Sequence, residues 1–540
     1  MGNLSGARIV GGVEFQNCGV VAAFAERLGI VDFLDRHLPE PRREGASFGV
    51  IAKGLIIQIL HARFKRIGFG GFFFNSLPTH QLLGRGVLPS HLNERRIGDF
   101  LQAVGDYGPS ALYDAFVREC LLSRLPDGIN LHGGKVNFCI RQVANDDFVL
   151  QLASSESDYK EHARYADRCE KLLKGYSFAT VVDGNGTPLS MSPLEDCCIF
   201  KRPVYGDAIR KVAGELSALR NGMFFDMGDA SFHSEMNPEE QSFRWVARVS
   251  EKNTKAACLL DTDEELVPSS DPNLRLLETS VTIGGAEQRW ILVESGETEE
   301  TAFAADPFKE PISSVSGTPL DDIWKRTPES GDLFSQPQRK IGAGDSQSCH
   351  KAECESGRRR DAEKMMRRRQ RRFVLATNSV GADAPSADGI LALHNRQGRF
   401  ARGMRILMGK IMYLSDHKCV ESFARVGGMA FLLTLTLALY NHSESELRRR
   451  VAQSGEPMLD WRGKVMEHPT LKELFNLFDS ACLLKAADGK KRVSSLLWMN
   501  ESTEGSARRI LSLLGEEFER YYEVDPEVRR VVWEIWRAAK

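Results

Sequence analysis

The spacing of apolar residues changes once along this chain, near residue 129, and this change constrains the fold more than any other feature. Before it, apolar residues recur every three or four positions, for example from Val20 to Leu34, which is the period of an amphipathic helix. After it, Val136, Phe138 and Ile140 occupy alternate positions, which is the period of a strand. The sequence therefore predicts an all-α N-terminal region followed by a mixed α/β sheet.

Further segments follow the same two periods. Helices are predicted at 48–64, 95–104 and 110–124, and one more at 208–219 among the strands. The run Asp183-Gly184-Asn185-Gly186 favours a hairpin turn, because glycine and asparagine tolerate positive φ. The predicted strands are Leu131 to Ile140, Tyr176 to Val182, Leu189 to Leu194, Gly222 to Asp229, Phe243 to Val249, Arg289 to Val293 and Phe373 to Asn378.

Composition narrows the class of protein. With 540 residues, 42% of them hydrophobic, the chain is long enough for several domains. A formal charge of −2 means that any nucleic-acid binding must use local basic patches. The eleven cysteines form no Cys-x-x-Cys pair and the first residues do not resemble a secretory leader, so we expect a reduced, cytoplasmic setting. The longest apolar run, Met429 to Tyr440, is shorter than the roughly 20 residues of a membrane span and predicts a buried core helix.

Two neighbouring segments break the pattern of helices and strands. Residues 295–357 are rich in Glu, Thr, Ser, Pro and Gly and lack apolar periodicity, which predicts a flexible insertion. Nine of the fifteen residues from Arg358 to Arg372 are Arg or Lys. The predicted divisions are a helical N-terminal domain (1–127), the first part of the core (128–294), the insertion with its basic run (295–372), the last core strand with core helices (373–455) and a helical C-terminal region (456–540).

The segment from Gly389 to Lys418 resembles the last catalytic helix of the DDE transposases of bacterial insertion sequences. That helix reads roughly Tyr-x-x-Gln-x-x-Val-Glu-Arg-Gly-Phe-Arg-x-Leu-Lys. The residues of this chain that fit are Gln397, Phe400, Arg402, Gly403, Arg405 and Leu407. His394, Ala401 and Met408 stand at the tyrosine, glutamate and lysine positions. The resemblance covers about residues 9–480, and its N-terminal part is similar to a small helical domain of unassigned function that opens one group of these transposases.

The resemblance implies an RNase H-like core and places its three catalytic acids. The first falls on Gly134 in Leu131-His132-Gly133-Gly134-Lys135, where the family has an aspartate. The second falls on Asp229, which keeps the family's residue, with Asp226 as the only rival; a helix cap is the alternative role for Asp229. The third falls on Ala401. The family uses a pair of Mg²⁺ ions held by these three carboxylates. Because this chain keeps only Asp229, we expect it to bind the metal ions poorly and to be unable to cleave DNA.

The expected partner is double-stranded DNA at the element ends, bound by a homo-oligomer without any membrane. The predicted phosphate contacts are Arg367, Arg368, Arg369, Arg371 and Arg372. A solvated basic helix is the competing interpretation of that run. The sequence thus predicts a transposase-family protein for DNA transposition and recombination whose present copy is inactive. The alternative is a non-catalytic DNA-binding or assembly protein on the same scaffold.

Overall fold

The chain folds into two compact units, each of which has its own core. Unit 1 contains Met1–Gly228 and Arg396–Lys540, and unit 2 contains Asp229–Asn395. Helices occur together with sheets that include antiparallel and parallel pairs, so the fold class is α/β, as predicted. The computed structural model describes residues 8–40, 45–61, 70–125, 130–142, 148–153, 172–193, 224–226, 244–295, 368–369, 371–381, 384–395, 403, 412–414, 422–466, 469–488 and 491–539.

The N-terminal part of unit 1 is helical, as predicted, apart from its first strand. Ser47 caps α3 by accepting from the Val50 amide, and α3 is buried along its whole length. The pattern from Val20 to Leu34 is divided between two helices, because Gly29 adopts a φ of 70°. The elements are β1 (Arg8–Glu14), α1 (Cys18–Arg27), α2 (Ile30–His37), α3 (Phe48–Leu60), α4 (Gly70–Asn75), α5 (Thr79–Leu83), a 3-10 turn (Pro89–His91), α6 (Glu94–Tyr107), α7 (Pro109–Phe116), a π turn (Val117–Leu121) and a 3-10 turn (Leu122–Arg124).

The first sheet of unit 1 is mixed. Its central strand β2 pairs antiparallel with β3 and β4 and parallel with β6, where His132 lies opposite Asp226. The predicted turn at Asp183 is confirmed: the Asp183 carboxylate accepts from the Asn185 and Thr187 amides. The strands are β2 (Asn130–Gln142), β3 (Phe148–Ala153), β4 (Leu172–Asp183), β5 (Ser192–Pro193) and β6 (Phe224–Asp226).

Unit 2 is built on an antiparallel sheet with the order β7-β11-β10-β9-β8. The predicted strands around Arg244, Arg289 and Phe373 are confirmed, and the fully buried Trp245 and Trp290 form part of its core. The predicted helix at 208–219 lies outside the described residues, and so does the predicted insertion at 295–357 apart from Ser295, which ends β10. The elements are β7 (Arg244–Arg248), α8 (Thr254–Leu260), β8 (Val267–Pro268), β9 (Leu274–Ile283), β10 (Ala286–Ser295), β11 (Arg372–Thr377) and α9 (Ala387–Asn395).

The rest of unit 1 contains the longest described helix, α10. It is the one described helix that is long and apolar enough to cross a membrane, but 83% of its most apolar window is buried inside the protein. The prediction of a buried core helix at Met429 to Tyr440 is therefore confirmed. The elements are β12 (Met412–Leu414), α10 (Phe423–Ser454), β13 (Met458–Leu459), β14 (Val465–Met466), α11 (Leu471–Leu477), β15 (Ala481–Asp488), β16 (Lys491–Trp498), α12 (Glu501–Leu514), α13 (Glu516–Glu519) and α14 (Pro526–Ala539).

The C-terminal region is not purely helical, which corrects the prediction for residues 456–540. The strands β15 and β16 form a hairpin, and β1 from the other end of the chain pairs with β15. The helix α14 packs on this three-stranded sheet through Val532, which is fully buried with Ala486 and Leu497. The first and last segments of the chain therefore share one core, which a local pattern of apolar residues does not reveal.

Candidate functional site

The three predicted acid positions fall on different parts of the chain, and the structure describes only one of them. Gly134 lies within β2, in register with Thr180 of β4. Asp229, Ala401 and Met408 lie outside the described residues. Among the residues that are described, no group of three or more His, Cys, Asp or Glu side chains is arranged to hold a metal ion. As a donor set, Gly134, Asp229 and Ala401 supply a single carboxylate, which does not fit a pair of Mg²⁺ ions.

Two other positions of the segment that resembles the catalytic helix, His394 and Gly403, are packed against neighbouring side chains. His394 is 1% exposed on α9, and its ring centroid lies 5.9 Å from that of Phe373. Gly403 lies against α10, where an added Cβ would be 2.6 Å from Leu437 Cδ1 and 2.8 Å from Asn441 Oδ1. The glycine of the motif therefore allows close packing against Leu437 and Asn441, and a larger residue would need these side chains to shift.

The described arginines of the basic run are largely engaged with carboxylates of unit 2. Arg368 Nη1 lies 2.5 Å from Asp263 Oδ1, and Arg369 forms a two-pronged pair with Asp261. That hydrogen bond holds the pKa of Asp261 below its usual range. Both arginines remain partly exposed, so they can still reach a phosphate, but each has a neighbouring negative charge that opposes it.

Arg372 has a different environment from the rest of the run. It is 4% exposed, and it donates to the Leu260 and Thr262 carbonyl oxygens as well as to Glu294. These contacts connect β11 to β10 and to the end of α8, so the side chain has a structural role in unit 2. Arg371 is half-buried, and Arg367 lies outside the described residues.

A pocket of about 500 Å³ lies in unit 1, where the sequence analysis predicted no functional site. Helices α1, α2, α3 and α5 form most of its wall, and the turn after α13 closes one side. Its ionisable and polar lining includes Glu26, Lys53, His80, Arg85, Arg520 and Tyr521.

Lys53 is the central charge of this pocket. It is 3% exposed in the middle of the apolar helix α3, and its Nζ donates to Glu26 Oε1 at 2.7 Å and to the Tyr521 hydroxyl at 3.3 Å. The Tyr521 hydroxyl donates in turn to Glu26 Oε1 at 2.6 Å, and Arg520 pairs with the other carboxylate oxygen. A buried ammonium requires such partners, because an isolated charge away from water costs several kcal/mol.

The pKa values of this cluster follow from burial and from the mixture of charges. Burial by itself would raise the pKa of Glu26, but Lys53, Tyr521 and Arg520 together hold it below its usual value. Burial lowers the pKa of Lys53 despite the neighbouring carboxylate. Burial and the hydrogen bond to Glu26 raise the pKa of Tyr521. The cluster therefore combines a carboxylate that is stabilised in its charged form with a lysine whose charged form is disfavoured by burial and a phenol that keeps its proton.

The segment after α13 is held in place by contacts with the N-terminal helices. The Tyr522 hydroxyl donates to the Gln16 carbonyl oxygen at 2.8 Å, and Gln81 Nε2 donates to the Tyr521 carbonyl oxygen at 3.1 Å. One local signal of the site was present in the sequence: Lys53 is the only charged residue of α3. Its partner Tyr521 is 468 residues away, so no local pattern could identify it.

The comparison with protein families matches the part of the chain that forms most of this pocket. Residues 13–118 match a family described as a domain of unknown function, DUF4277. The chain carries a DUF4277 domain. Glu26 and Lys53 belong to the DUF4277 domain, whereas Arg520 and Tyr521 lie outside the matched residues. No protein with curated annotation matches the chain. The expected N-terminal domain of unassigned function is therefore confirmed at residues 13–118.

Proposed function

We propose that this chain is a transposase-family protein that binds double-stranded DNA and has lost the strand-cleavage chemistry of its family. One observation carries the proposal: β2, the strand with the first acid position, has the antiparallel neighbour β4 and the parallel neighbour β6. An RNase H-like core has a mixed sheet of this kind. The strand β6 runs parallel to the start of β2, and its last residue, Asp226, lies opposite His132, two residues before Gly134.

The positions of the matching motifs support the same proposal. Gly134 lies two residues beyond His132 on β2, and Asp229 follows Asp226, the last residue of β6, by three residues in the sequence. The DUF4277 domain precedes these strands, in the order expected from the resemblance. With glycine and alanine at two of three acid positions, the chain offers one carboxylate where the family's metal-dependent cleavage needs two or three.

DNA binding does not depend on the acid positions, because phosphate contacts use arginine and lysine. Of the described arginines in the basic run, Arg368 and Arg371 suit this role best. Arg368 pairs with the largely exposed Asp263 and donates to the Asp261 carbonyl oxygen, and Arg371 is half-buried. We assign phosphate contact to these two side chains and a structural role to Arg372.

The test is duplex binding measured over a range of salt concentrations. Replacing Arg368 and Arg371 together by alanine should weaken binding and reduce the salt slope by about 1 to 2, since each phosphate contact contributes about 0.9. Asp263→Asn should strengthen binding, because it removes the opposing charge beside Arg368. An unchanged slope in the double variant and in Asp263→Asn would assign the run to a solvated surface.

The loss of cleavage is tested separately on the same DNA. With Mg²⁺ or Mn²⁺ the chain should leave supercoiled and linear DNA intact, and Asp229→Ala should not change that result. Nicking that requires Mg²⁺ and disappears in Asp229→Ala would overturn the inactive assignment. Asp146 and Asp147, the acids that follow the predicted strand Leu131 to Ile140 in the sequence, would then be the first candidates for the missing ligands.

A further inference from the structure

We propose that the pocket between the DUF4277 domain and the turn after α13 binds the phosphate group of a small ligand. This inference is independent of DNA binding by the basic run, because the pocket is in unit 1 and the described arginines of the run are in unit 2. A volume of about 500 Å³ is in the range of small-molecule sites, which are roughly 300 to 1,000 Å³. It exceeds the size of a water molecule or a bare ion.

The charges of the lining favour an anion. Three basic side chains, Lys53, Arg85 and Arg520, line the pocket together with the carboxylates of Glu26 and Asp32. Glu26 is already bonded to Lys53, to Arg520 and to the Tyr521 hydroxyl, so its charge is compensated more than once. The basic side chains of the lining therefore outnumber its carboxylates by one, which favours an anion over a cation as the ligand.

The donor groups are of the kind that phosphate uses. Arg520 offers a planar guanidinium, which binds two oxygens of a phosphate at once. Lys53 is a point charge with three N–H donors, of which Glu26 and the Tyr521 hydroxyl use two. The first turn of α2 also borders the pocket through Val31 and Asp32, and there the Asp32 carboxylate offsets the partial positive charge of the helix N-terminus.

The remaining wall fits the organic part of a phosphate ester. Val31, Val50 and Leu83 border the pocket with apolar surface. A bare phosphate would leave this apolar surface and most of the volume unused. The ligand class is therefore a phosphomonoester, with free phosphate as the simplest compound that carries the recognised group.

The test is calorimetric titration of the full chain with three probes: AMP, inorganic phosphate and adenosine. AMP and phosphate should bind and compete with each other, and adenosine should not bind. If AMP binds more tightly than inorganic phosphate, the natural ligand is a phosphate ester. If AMP and inorganic phosphate bind with equal affinity, the natural ligand is free phosphate. Both results support recognition of the phosphate group. Absence of binding by AMP and phosphate at millimolar concentrations, or equal binding of adenosine, would overturn the proposal.

Variants show whether binding takes place in this pocket. Arg520→Gln should weaken AMP binding about tenfold or more, which corresponds to the loss of one charge-assisted hydrogen bond. Its side chain is 53% exposed, so the fold should tolerate the change. Arg509→Gln is the matched control, since Arg509 is 49% exposed and pairs with Glu456, which is not a pocket residue. Equal affinities of the two variants would overturn the assignment to this pocket. Lys53→Met, confirmed to be folded by circular dichroism, should also lose binding.

Discussion

Arg372 and Glu294 lie opposite each other on neighbouring strands of unit 2, and they form an ion pair with 2.6 Å between Arg372 Nη2 and Glu294 Oε2. The arginine side chain is 5% exposed and the glutamate side chain 20%. The pair turns the last residue of a strongly basic run into part of a protein core. Charge in the sequence therefore does not by itself identify a DNA contact.

Arg372→Ala should lower the free energy of unfolding by about 3 kcal/mol, because it leaves Glu294 and two carbonyl oxygens without their donor. Arg371→Ala is the control at the adjacent position, and it should change the free energy of unfolding by less than about 0.5 kcal/mol. Urea unfolding, monitored by hydrogen exchange of the β11 amides, measures the free energy of unfolding of both variants. Losses of equal size would contradict the structural role assigned to Arg372.

Gly428→Ala should destabilise the protein by about 3 kcal/mol or more, because α6 crosses α10 at this residue. An added Cβ would lie 2.2 Å from the Leu101 carbonyl oxygen, and Gly105 makes the reciprocal contact with Ala424. Gly505→Ala is the control within another helix, α12, where nothing lies within 4 Å of the added Cβ. It should stabilise the protein by up to about 1 kcal/mol. Thermal unfolding distinguishes the two, and a harmless Gly428→Ala would refute the close crossing.

The Glu26 cluster should make stability depend on pH in the acid range. The folded pKa of Glu26 lies below its ordinary value of 4.5, so its pairing contributes fully above about pH 4.5. As pH falls below that value, the unfolded chain takes up a proton first and the contribution is lost. The difference in unfolding free energy between the natural chain and Glu26→Gln should therefore shrink as the pH falls from 6 to 3. A constant difference over that range would show that the carboxylate charge contributes nothing.

Rebuilding the acid positions should create a metal site. Gly134→Asp with Ala401→Glu restores three carboxylates together with Asp229, and Met408→Lys restores a cation that suits a phosphate. The added acids should destabilise the metal-free protein by mutual repulsion. Mn²⁺ or Mg²⁺ should then raise the melting temperature of the triple variant more than that of the natural chain. Equal shifts would reject the alignment of these three positions.

Local sequence patterns determined much of the secondary structure. Alternating apolar residues predicted β2, and the residues from Asp183 to Gly186 predicted the turn that follows β4. Apolar runs predicted the buried helices α3 and α10. These features depend on residues within a few positions of one another, so local sequence is sufficient to predict them. The strand predicted from Leu131 to Ile140 is confirmed, and Gly134 lies within it.

Only the tertiary structure decided which distant segments meet. The strand β1 pairs with β15 near the opposite end of the chain, and Lys53 finds Tyr521 across 468 positions. It also decided which arginines of one basic run are buried, as Arg372 is, and which stay accessible, as Arg368 does. The spacing of apolar residues determines which face of a helix or strand is buried, but not which other element packs against that face. The partner depends on the packing of the whole unit, where long-range contacts must repay the entropy of closing long loops.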